Sequence, residues 1–90
     1  MDFEWDPAKA AANFKKHGVT FEHAVSALQD DLAATARDLT HSNVENRFIT
    51  IGVSAHGQLL TVSHTDRGDS IRIISAGLAT RTERTIHEEG

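Results

Sequence analysis

The sequence contains no cysteine, which excludes disulfides and thiolate metal sites and fits a reducing compartment. It has no excess of positive charge either. Nine Lys and Arg stand against 13 Asp and Glu, giving a net charge of −4 and a pI near 5.8. General affinity for nucleic acid rests on neutralising phosphates with basic side chains, so any work on nucleic acid must come from a local basic cluster. No apolar run approaches the roughly 20 residues of a membrane span, and the acidic, broken start is not a signal peptide. The expected location is the cytoplasm, with no membrane partner. Repeats, low-complexity tracts and linkers are also missing. None of the six histidines is paired as H-x-H or H-E-x-x-H, so neither a metal nor any other cofactor is expected. Ninety residues leave room for one core, hence a single domain over 1–90.

What the chain does have is a β-rich stretch from Asn46 to Ala76. Three runs rich in Ile, Val, Thr and Leu, at 47–54, 58–65 and 70–76, read as an antiparallel meander. His56-Gly57 and Arg67-Gly68 separate them and read as two-residue turns. That register opposes Val53 to Leu60, Ile51 to Val62, Ile49 to His64 and Arg47 to Asp66, then His64 to Ile71 and Val62 to Ile73. One face then collects Ile49, Ile51, Val53, Leu60, Val62, Ile71 and Ile73. The other collects Thr50, Gly52, Thr61, Ser63, Ser70 and Arg72, with Phe48, Leu59 and Ile74 among them.

The helices announce themselves by their ends. Asp6-Pro7 is an N-cap followed by proline at the first helical position, and Lys15-Lys16-His17-Gly18 supplies the cations and the stop of a C-terminus. Thr20 caps a second helix in which Phe21, Ala24, Val25 and Leu28 form a buried stripe. Both helices are expected on the apolar sheet face. Thr80-Arg81-Thr82-Glu83 has capping-box spacing, which predicts a polar, weakly docked helix over Arg81–Glu89. Asp2–Trp5 and Leu32–Ala36 read as short strands and Asp38–Asn43 as a loop. The fold class is α+β: an antiparallel sheet, two N-terminal helices on one face, and a C-terminal helix.

Phe3-Glu4-Trp5-Asp6-Pro7-Ala8-Lys9, Asn13, Lys16-His17-Gly18-Val19, Phe21-Glu22 and Ala24 resemble the BrnT toxin family in order and spacing. Further along, so do Glu45-Asn46-Arg47-Phe48, Ile51-Gly52, His64-Thr65, Arg72-Ile73-Ile74-Ser75-Ala76, Ala79-Thr80 and Glu83-Arg84. The resemblance covers nearly the whole chain. It implies a RelE-like fold and the toxin half of a bacterial type II toxin–antitoxin pair. It also implies a metal-independent endoribonuclease that inhibits translation. The implied partners are RNA and an antitoxin similar to BrnA, a ribbon–helix–helix protein through which DNA is reached only indirectly.

A metal-independent ribonuclease must activate the ribose 2′-hydroxyl, stabilise charge on the phosphate and protonate the leaving oxygen. Arg72, on the polar sheet face, is the first candidate for phosphate binding, against the alternative of a solvated strand arginine. Arg47, at a strand end and on the other parity from Arg72, is the second, against a rim salt bridge with Asp66. Lys16 and His17 are candidates for proton transfer or phosphate contact, although a helix C-terminus favours cations in any protein. His64 reads better as a half-buried, hydrogen-bonded core histidine, and is kept with Arg81, Arg84 and His87 as a weaker substrate contact. The chain departs from the family after Ala76. Gly77 and Leu78 stand where arginine and a second basic residue are usual, and His87 stands where an aromatic, usually tyrosine, is common. These departures imply reduced activity. The alternatives are an inert antitoxin-binding partner acting in operon autoregulation, or a small protein-binding module unrelated to RNA.

Overall fold

The computed structural model describes residues 2–39 and 46–89. In chain order the elements are β1 (Asp2–Glu4), α1 (Pro7–His17), α2 (Phe21–Leu28), β2 (Ala34–Arg37), β3 (Arg47–Val53), β4 (Leu59–Arg67), β5 (Ser70–Leu78) and α3 (Arg81–Glu89). The strands form one sheet in the order β1-β5-β4-β3-β2. It is antiparallel except for β1, which runs parallel to β5 at the edge. The expected α+β architecture is present, with short strands where Asp2–Trp5 and Leu32–Ala36 pointed. The loop expected over Asp38–Asn43 falls mostly outside the described residues.

The helix ends follow the chemistry of their caps. The Asp6 carboxylate accepts from Ala8 N–H at 2.8 Å, and Gly18 closes α1 with its N–H on the Phe14 carbonyl. Thr20 Oγ1 accepts from His23 N–H. In α3 both halves of the capping box form: Thr80 Oγ1 accepts from Glu83 N–H and the Glu83 carboxylate accepts from Thr80 N–H. None of the α3 residues is buried, as its polar sequence predicts.

The register of the meander differs from the expected one, and the turns explain why. Ser54 N–H donates to the Gln58 carbonyl, so the β3–β4 loop is the three residues Ala55, His56 and Gly57, with Gly57 at φ 79°. A three-residue loop ending in a left-handed glycine is one residue longer than the expected turn. It therefore slides β3 by one position against β4: Ile51 opposes Thr61, Thr50 opposes Val62, and Arg47 opposes Thr65 rather than Asp66. One step reverses every side chain relative to the neighbouring strand. Ile49, Ile51 and Val53 consequently lie on the face opposite to Leu60 and Val62. The β4–β5 turn is Gly68-Asp69, which moves the pairing by two and keeps the parity: Thr65 opposes Arg72 and His64 opposes Ile73. Ile74 is then an extra residue, a bulge, after which Ser75 opposes Ser63 and Gly77 opposes Thr61.

Two unequal faces result. On the first, α1 and α2 bury Val19, Phe21, Ala24, Ala27, Leu60, Val62, Ile73 and Ala76, with Phe3 and Trp5 packed around them. Gly52 belongs to this face, and a Cβ there would collide with the Ala27 carbonyl, so glycine is what lets α2 lie down on β3. The second face is apolar on β2 and β3, where Ala34, Ala36, Ile49 and Ile51 form a groove roofed by Glu83 and Ile86 of α3. On β4 and β5 it turns polar, with Thr61, Ser63, Thr65, Arg72 and Ser75.

Candidate active site

Sheet geometry brings two of the sequence candidates together. Arg47, Thr65 and Arg72 are directly opposed across β3, β4 and β5, and Glu4 of β1 continues the row. All lie on the second face, because the Ile73 that follows Arg72 is in the core under the helices. Adjacent strands lie roughly 4.8 Å apart, so the Cα atoms of the two arginines are about 10 Å apart, with the Cα of Thr65 between them. The expected placement of Arg47 on the opposite side from Arg72 is corrected by the one-residue slide of β3. Chemically, a guanidinium presents planar donors matched in geometry to the oxygens of a carboxylate or a phosphate.

α1 reaches the same strand from its edge. The Asn13 carboxamide behaves like a neighbouring strand: it accepts from Ala76 N–H at 3.1 Å and donates to the Ala76 carbonyl at 2.8 Å, while its NH2 also reaches the Val19 carbonyl at 3.0 Å. This clamp sets the C-terminus of α1 beside β5. The His17 ring then lies against Gly77, where a Cβ would meet Nδ1 at 3.5 Å, ordinary contact. Gly77 opposes Thr61 as Arg72 opposes Thr65, so His17 and Arg72 share the second face at the two ends of a track along β5. At strand rise, residues 72 and 77 are roughly 15 Å apart. Lys16, next to His17, is exposed.

The remaining candidates are placed elsewhere. His64 is on the helix-covered face, 4% exposed, with Nε2 2.8 Å from Thr50 Oγ1, which in turn is 2.7 Å from Thr35 Oγ1. Phe48 stacks on its ring. Burial pushes its pKa down from the usual 6.5, with Asp66 opposing weakly. This is the hydrogen-bonded core histidine that the sequence pointed to. His87 lies at the other end of the second face, its Nε2 3.3 Å from an Asp30 carboxylate oxygen. Asp30 also accepts from Val53 N–H and Leu32 N–H, and these bonds hold its pKa below the usual carboxylate range. His87 therefore fastens α3 to the turn after α2. Arg81 and Arg84 are exposed on α3.

Sequence reasoning missed two residues in this region. Asn13 enters only as part of a motif, yet it positions α1. Thr65 likewise enters only as part of the His64-Thr65 motif piece, because its place between two arginines depends on register. Nothing in the local sequence signals either. Among the described residues, no three His, Asp or Glu side chains converge as a metal site, and the His23–His56 pair, with ring centroids 4.0 Å apart, packs the β3–β4 loop on α2.

Comparison with known proteins agrees with this architecture. A 1.1 Å crystal structure of the Brucella abortus ribonuclease toxin BrnT superposes with a TM-score of 0.62 at 24% identity, covering 90% of this chain and 99% of that one. At that identity the likeness speaks for the fold. No curated protein matches the chain. The family model for BrnT, the ribonuclease toxin of a type II toxin–antitoxin system, matches residues 5–83. With that match running from Trp5 through the capping box of α3, the chain belongs to the BrnT family of ribonuclease toxins.

Proposed function

We propose that the protein is a single RelE-like domain that cleaves RNA without a metal and thereby inhibits translation in the cytoplasm. The observation that carries this reading is the row Arg47–Thr65–Arg72 on the open, polar part of the sheet. Metal-independent cleavage proceeds by in-line attack of the 2′-hydroxyl on the adjacent phosphate. The charge that builds on the phosphate oxygens needs fixed cations, which Arg47 and Arg72 supply. Proton transfer falls to His17 or Lys16 at the other end of the β5 track, with the long stem of Arg72 spanning part of the gap. Arg81, Arg84 and His87 on α3 extend the surface for flanking nucleotides. The partner that silences the toxin is a BrnA-like ribbon–helix–helix antitoxin, and DNA is reached only through it.

Gly77 favours a second reading. It leaves the His17 ring with no cation from position 77, so activity is weak, and in the limit the protein serves as an antitoxin-binding partner in operon autoregulation. Cleavage of a fluorescent RNA by wild type, Arg72→Ala and Gly77→Arg separates the readings. The substitution at 77 meets only ordinary contacts. The expected result is weak wild-type cleavage, a loss of about 100-fold or more in Arg72→Ala, and a gain in Gly77→Arg. Wild-type activity unchanged by Arg72→Ala would remove the arginine row from the mechanism. Antitoxin binding without cleavage in any variant would leave the second reading.

A further inference from the structure

We propose that the Thr65 hydroxyl is a third phosphate ligand, donating its proton to a non-bridging oxygen held between Arg47 and Arg72. This rests on the reading that the arginine row grips RNA.

Thr65 sits on β4, the central strand of the sheet, with a strand on each side. Its two cross-strand neighbours are the two arginines. Only 1% of its surface is exposed, and its Oγ1 has no hydrogen-bond partner among the described residues. A buried hydroxyl without a partner is a cost to folding, and valine fills the same volume without it. Buried polar groups left unanswered by the protein call for an explanation, and a ligand is one. The neighbours say which ligand: a hydroxyl whose two cross-strand neighbours are arginines, with Glu4 beyond Arg72, lies where positive charge outweighs negative along the row. Phosphate oxygens accept from neutral and charged donors alike. A phosphate gripped by both arginines sits over β4, and the Thr65 hydroxyl donates to the oxygen nearest the sheet. Thr61 Oγ1 is equally without a partner, but its cross-strand neighbours are Ile51 and Gly77, so no charge converges there.

The test compares wild type, Thr65→Val, Thr65→Ser and Arg72→Ala on one RNA oligonucleotide, with thermal unfolding of each. Thr65→Val is expected to lower kcat by about 10- to 100-fold, because the donor meets more charge in the transition state than in the bound substrate. Its Tm should stay level or rise. Thr65→Ser should recover activity to within about threefold of wild type, since it keeps the donor. A 2′-deoxy oligonucleotide, which cannot be cleaved, supplies a readout independent of turnover: its Kd should weaken about fivefold in Thr65→Val. Wild-type kcat and Kd in Thr65→Val would overturn the proposal, as would equal losses in the serine and valine variants or a drop in Tm that tracks the loss. If Arg72→Ala is fully active, the arginine row itself fails. If Arg72→Ala is inactive while Thr65→Val is unaffected, only the hydroxyl's role fails.

Discussion

Single side chains in this protein divide into those that build the sheet and those it presents. His64 is a builder: sunk under the helices, its ring contacts Thr50 and Phe48. Because burial lowers its pKa below the ordinary 6.5, the unfolded chain binds a proton at a higher pH than the folded one. Its contribution to stability is therefore complete above pH 6.5 and is lost as pH falls below that value toward the folded pKa. Urea unfolding between pH 7.5 and 5 should show the midpoint dropping in wild type, at no more than about 1.4 kcal/mol per pH unit for this one proton. His64→Gln should flatten the slope over that window. An unchanged slope in the variant would place the acid sensitivity elsewhere. Asp30, whose carboxyl is held low by the Val53 and Leu32 N–H groups, acts in a separate window below its ordinary 3.8, where stability is lost as the carboxylate protonates.

Elements were legible in the sequence to different degrees. All three helices could be read from their caps, because a cap is a local matter of a few residues: Asp6-Pro7, Thr20 and the Thr80–Glu83 box each form the bonds their chemistry predicts. The strands could also be read, but their phase could not. Gly57 closes a three-residue loop as readily as a two-residue turn, and that single residue decides which way Ile49 and Ile51 face. Both alternations of β3 are apolar enough, with Phe48 on one and the isoleucines on the other, because α3 needs an oily patch as α2 does. The site suffered for the same reason. Arg72 was found on the open face, since its parity with Ile73 is internal to one strand, whereas Arg47 depended on pairing between strands. The clamp between α1 and β5 was invisible because Asn13 and Ala76 are 63 residues apart. Asn13→Ala strips two buried hydrogen bonds from the Ala76 backbone and one from Val19. The expected cost is about 2–4 kcal/mol in urea unfolding, with α1 loosened first. A loss under 1 kcal/mol would mean that water or another side chain takes over the edge.

At the scale of the whole molecule, charge works against the proposed chemistry. With a net charge of −4, the overall field opposes a polyanion, and in the proposed reading attraction comes from the arginine row, the end of α1 and the exposed Arg81 and Arg84 of α3. Binding should therefore depend on salt only as strongly as the few phosphates it neutralises. For two arginine contacts on a single strand, log Kobs against log salt is expected to fall with a slope of about −1.4. Anisotropy titrations of the 2′-deoxy oligonucleotide at several salt concentrations measure it. A slope near −5 would reveal a wider basic surface than this row.

The extra residue at Ile74 has an outcome of its own. It works as a phase shifter within β5: ahead of it the strand turns a guanidinium outward and Ile73 inward, and beyond it the alternation restarts. If the same residues ran on in regular pairing with no bulge, Ala76 would fall opposite Thr61, where Gly77 now is, turning a core alanine to the other face and breaking the grip of Asn13. The side-chain phase at the two ends of the track is thus set separately on either side of the bulge. Position 77 can therefore gain a side chain, whose Cβ meets only ordinary contacts with the His17 ring, while the parity of Arg72 upstream is unchanged.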